Sequence, residues 1–160
     1  MAERSLKSIR EDYKKIESKF SLPPFEKLLE DFDMEKLSEK EEGLLVRDVR
    51  RIVVEKISAY LHLFEMLINP SSPPMFVFAF LKNLSEQDKK EIKEIYKELS
   101  KLQIITIKLD TIYDEKKEVE FIKKSNSVWQ GIKKKIYTLV ETFEKEFEKN
   151  AETKEKSYFG

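Results

Sequence analysis

Apolar residues recur at three- and four-residue steps over most of the chain. Leu6, Ile9, Tyr13, Ile16 and Phe20 form the first such series and predict an amphipathic helix over about residues 3–20. Pro23 and Pro24 forbid its continuation. Pro24 is well placed to open a short helix near 24–32 that buries Phe25, Leu28, Leu29 and Phe32. Ser38 followed by Glu41 has capping-box spacing and predicts a long helix over about 39–68, stopped by "NPSSPP". After the prolines, "MFVFAFLKNL" is too short and too apolar to be anything but a packed element. It predicts a short helix near 74–83, although Phe76, Val77, Phe78 and Phe80 are also good strand formers.

Ser85 with Asp88 opens a further helix over about 86–112, with Ile92, Ile95, Tyr96, Leu99 and Leu102 on its buried side. Its last third reads two ways. Ile105, Ile107 and Leu109 alternate with Thr106, Lys108 and Asp110, which would make a charged β-hairpin at about 104–122. Leu102, Thr106, Leu109 and Tyr113 continue a helical face, and helix is the preferred reading. Asp114 can cap a last helix. Val119, Ile122, Trp129, Ile132, Ile136, Val140, Phe143 and Phe147 then hold a helical stripe over about 115–149. Residues 150–160 carry no such pattern and are expected to form a loose tail. Long rods joined by short turns bury their stripes only against one another. The expected fold is therefore all-α, a single domain over 1–149, arranged as an up-down bundle of about four main helices with the N-terminal helix as one strut.

Composition supports this picture and narrows the chemistry. Charged residues reach 39%, nearly all Lys and Glu, with only three glycines, as in long surface-charged helices. The same bias, without cysteine, fits a heat-adapted protein. Positive and negative charges balance at 31 each, which removes the global attraction to nucleic acid or anionic membrane. The absence of cysteine excludes disulfides, thiolate metal sites and a cysteine nucleophile, and a single histidine excludes a multi-histidine site within one chain. The start is charged from residue 3, unlike a secretory leader, and the longest uncharged run, Met66–Leu81, is split by prolines. A soluble cytoplasmic protein with no cofactor is expected.

Three features are candidates for function. On the helix containing "RIVVEKISAYLHLFEML", apolar residues cover most of the circumference and leave one polar line: Arg51, Glu55, Ser58, His62 and Glu65, spaced 4-3-4-3. As a pocket wall, this line would place a titrating imidazole beside a carboxylate one turn away, the makings of a small metal- or nucleotide-binding enzyme. As a surface face it would carry only weak pairs such as Arg51–Glu55. Second, three of the five arginines, Arg47, Arg50 and Arg51, fall in "VRDVRR". They would suit an anion or nucleic acid, or an ion-pair network with Asp48, Glu55 and Glu42. Carboxylates such as Glu91, Glu94, Asp110, Asp114, Glu115 and Glu118 read as solvated faces. Third, Met75, Phe76, Phe78 and Phe80 either plug the core or form an apolar patch for a protein partner or a second copy. No P-loop, GxGxxG, GxSxG or HExxH motif occurs. The preferred expectation is a non-catalytic protein that acts through protein contacts, quite naturally as a homodimer.

Overall fold

The computed structural model describes residues 4–41 and 43–159. Each stretch of helical periodicity forms a helix. The elements are α1 (Leu6–Phe20), α2 (Phe25–Asp31), a 3₁₀ helix (Met34–Glu39), α3 (Leu45–Ile68), α4 (Met75–Lys82), α5 (Glu86–Thr111) and α6 (Glu115–Phe159). Among the described residues there is no strand. Residues 104–122 are helical on both sides of a short turn, so the hairpin alternative does not form. The Leu102, Thr106 and Leu109 face is buried, and that burial outweighs the strand preference of the isoleucines.

Local chemistry explains most boundaries. Ser5 caps α1 by accepting from the Ser8 amide, and Ser21, in the left-handed conformation at φ 53°, closes it. Tyr13 is buried and donates its hydroxyl to the Pro23 carbonyl at 2.7 Å, tying α1 to the proline turn. Pro24 opens α2 as expected. Ser85 and Asp88 form a reciprocal capping box at the start of α5. Asp114 caps α6 through the Lys117 amide at 3.3 Å.

Two boundaries differ from the periodicity. The Ser38–Glu41 box does not form. Burial of Phe32, Met34 and Leu37 draws this segment into a 3₁₀ turn, where the Ser38 hydroxyl donates to the Glu35 carbonyl, and α3 starts six residues later than expected, at Leu45. At the other end of the chain α6 carries on to Phe159 instead of giving way at 149 to a loose tail. "AETKEKSYF" lacks an apolar stripe but also lacks any glycine or proline, and Ala, Glu and Lys are strong helix formers.

The three long helices carry the core. α3 packs on both α5 and α6, and α5 packs on α6. α3 and α6 run in the same direction, with α5 antiparallel to both. The main contacts of α1 are with α2 and the 3₁₀ helix, and the latter packs on α3. The N-terminal helix thus joins the bundle through these two short elements. Trp129 anchors the middle, edge-on to Tyr60 at 5.1 Å and tilted against Phe32 at 6.0 Å. α6, at 45 residues and ~67 Å, is far longer than α3 or α5, at 24 and 26 residues and ~36–39 Å.

Candidate docking face and buried ion-pair cluster

The five residues of the polar line on α3 do not converge on anything. Arg51, Glu55, His62 and Glu65 are all exposed on one open face. Glu55 pairs with Lys36 of the 3₁₀ helix at 2.9 Å rather than with Arg51. Ser58 is half-buried and donates to Gln103 Oε1 at 2.9 Å, a contact between α3 and α5. Among the described residues no group of three His, Asp or Glu side chains is placed to hold a metal ion. Among the same residues no helix is long and apolar enough to cross a membrane.

The arginines are divided instead of clustered. Arg51 faces water. Arg50 is only 1% exposed and points into the bundle, where its Nε donates to Glu118 Oε2 at 2.7 Å and its Nη2 to Asp110 Oδ1 at 2.7 Å. Glu118 is itself fully buried. Arg47 lies between these situations, 3.7 Å from Glu118 and stacked 4.9 Å over the Tyr113 ring. The expected network with Asp48 and Glu55 does not form, and Glu42 lies outside the described residues. Glu118, read from sequence as part of a solvated face, is the buried partner of a guanidinium on another helix. Burial works against the charge on Arg50. Its bonds to Glu118 and Asp110 outweigh that and hold the guanidinium proton even more tightly than usual. One side chain of α3 thereby joins the end of α5 to the start of α6.

At the opposite end of the bundle the surface is apolar. α4 is hydrophobic around its whole circumference, yet its eight residues lie mainly against α3 and α6. Val77 and Phe80 turn inward, with Phe80 edge-on to Phe143 at 4.5 Å. Met75, Phe76 and Phe78 stay exposed. Of the four residues expected to form a patch, Phe80 therefore belongs to the floor and the other three to the surface. Phe76, Leu63, Leu67 and Val140 line a cavity of about 210 Å³ between α3, α4 and α6, with an entirely apolar wall. Leu63, Ile136 and Val140 continue into a second groove of about 370 Å³, reaching Tyr60, Tyr137 and Lys133. The exposed members on α6 are Tyr137 (65%), Val140 (49%) and Phe147 (49%). The sequence reading placed Val140 and Phe147 on the buried stripe. Val140 lies beside Leu63 and Leu67 at the open edge of the α3–α6 contact, and Phe147 stands one turn beyond Phe143.

Asp31 borders this face. It is nearly buried and accepts from Gln130 at 2.6 Å and from Lys133 at 2.9 Å, which clamps α2 to α6. Burial would raise its pKa, but the bonds from Lys133 and Gln130 prevail and hold the carboxyl below its ordinary range. A larger groove, about 770 Å³, lies beside the α5–α6 turn over Ile105, Leu109 and Phe121. Its rim mixes Lys117 and Lys124 with Glu120 and Asp114, which gives no consistent attraction for a charged ligand. Ile104 and Ile107 are exposed on the outer side of α5. The alternating pattern there had suggested a strand and gave no sign of which isoleucine would face water.

Comparison with protein-family models, curated proteins and solved structures found no match.

Two outcomes are expected from this geometry. Arg50→Met leaves the buried Glu118 without its hydrogen-bonded partner and with only Arg47, 3.7 Å away, so it should cost about 3 kcal/mol in urea unfolding, and the double substitution with Glu118→Leu should recover most of that loss. Additive losses would show that the pair does not act as a unit. Asp31 has a depressed folded-state pKa. Its contribution to stability is therefore present above the ordinary carboxylate value of about 4 and is lost as pH falls through the lower folded value. Asp31→Asn should reduce stability at pH 7 and flatten its decline below about pH 4. An unchanged acid limb would contradict the clamp.

Proposed function

We propose that this chain is a non-catalytic helical protein that acts through protein–protein contacts, and that the apolar face of α3, α4 and α6 is where it docks. The observation that carries this reading is the run of exposed apolar and aromatic side chains from Phe76 through Val140 to Tyr137, around grooves with apolar floors. Soluble monomers seldom leave contiguous patches of this kind uncovered, and aromatic residues supply most of the binding energy at protein interfaces. The wide groove between two helices suits a helical occupant better than a small molecule. Lys133 and Glu144 flank the apolar residues on α6 and supply the polar rim typical of such interfaces. The polar line on α3 gives no comparable support to an enzyme or metal site, because its side chains diverge into solvent. The divided arginines give none to nucleic-acid binding, since Arg50 is used internally.

The test is a photo-crosslinking side chain at position 137, with position 93 on the outer side of α5 as control, in cells that express the protein at its native level. Lys93 is exposed and lies away from the face. Position 137 should give a discrete protein adduct, and the added Phe76→Ser and Val140→Ser substitutions should abolish it. Equal labelling from positions 93 and 137 would remove the docking reading.

A further inference from the structure

The exposed face of α6 is complementary to itself when reversed. Advancing 100° per residue, Lys133, Tyr137, Val140, Glu144 and Phe147 fall on one side of the helix. Lys133 stands three turns before Glu144, with Tyr137 and Val140 between them. Laid antiparallel about a point midway between Tyr137 and Val140, two such helices place each tyrosine on the other's valine, and each Lys133 opposite a Glu144. Gln130 then meets Phe147. A parallel pairing would set Lys133 against Lys133 and Glu144 against Glu144, so charge selects the antiparallel one.

We infer that the occupant of the docking face is a second copy of this chain, joined by a twofold antiparallel α6–α6 seam. This rests on the docking reading and gives it a specific partner. Two observations support a second copy over another protein. Glu144 has no ion-pair partner in its own chain among the described residues, while Lys133, which donates to both Asp31 oxygens at 2.9 and 3.2 Å, keeps a third donor for a second carboxylate. The charge order along the face, basic then apolar then acidic, is what a twofold interface requires of a single helix.

The experiment uses the full purified chain. Light scattering at tens of micromolar should give twice the mass of one chain. A zero-length carbodiimide crosslink should join Lys133 to Glu144 and, in a mixture of isotopically light and heavy protein, should connect light to heavy. Within one chain these residues are ~16 Å apart along the helix, too far for that reagent. Glu144→Lys should weaken the dimer at least tenfold and leave the far-ultraviolet circular dichroism unchanged. Because that residue is exposed, loss of folding is not a competing explanation. A strict monomer at these concentrations overturns the inference, as does a dimer without the Lys133–Glu144 crosslink or one indifferent to Glu144→Lys. A monomer whose position 137 still crosslinks to another protein would overturn the second copy and leave the docking reading standing.

Discussion

The structure depends on what happens to one buried positive charge. Arg50 lies on the inner side of α3, almost without solvent, and a guanidinium cannot lose its proton to escape the cost of burial. It has to be met by carboxylates, and those come from α5 and α6, 60 and 68 residues further along the chain. Meeting both at 2.7 Å fixes how far each long helix slides past its neighbours. Apolar stripes alone tolerate shifts of a turn, since one isoleucine packs much like another. The Arg50–Glu118 pair does not, because a shift strands two ions in the core. Stability comes mainly from the apolar interior around Ile57, Ile95, Leu99 and Ile122, and the ion pair supplies the register.

That register has a consequence at the opposite end. With α3 and α5 set against the start of α6, both are used up while α6 still has about five turns to run. The proline segment after Ile68 returns the chain as α4, which is long enough to cover Phe143 but not Val140, Tyr137 or Phe147. The apolar face is thus the open side of the α3–α6 contact together with the part of α6 just beyond it. The functional reading and the fold share this cause.

Periodicity made most of the architecture legible. The α1, α5 and α6 stripes, the Ser85 cap, the Asp114 cap and the proline breaks each follow from a local rule. What failed was non-local. Ser38 and Glu41 satisfy the cap pattern, but the burial of Phe32, Met34 and Leu37 claims that segment for a 3₁₀ turn. Arg50 looked like a surface arginine beside Arg51, and Glu118 like one acidic residue among many. In a chain where charged residues are this common, nothing local separates a glutamate that meets a buried arginine from one that meets water. Helical phase could have raised the question, because Arg50 shares a face with the buried Val46, Val53 and Ile57. The polar line through His62 was regular in sequence and proved to be an ordinary solvent face. The α4 aromatics were recognised as a possible patch, but their division into floor and rim required knowing how α4 lies on α3 and α6.

The central claim is that the face of α6 left open by its own bundle, around 137–147, is covered by another chain. Amide hydrogen exchange along α6, measured at high and low protein concentration, tests it most directly. If the account is right, amides around 137–149 are slow at high concentration and quicken on dilution, while those around 118–132 and in α3 stay equally slow at both. Equal exchange around 137–149 at both concentrations would contradict it.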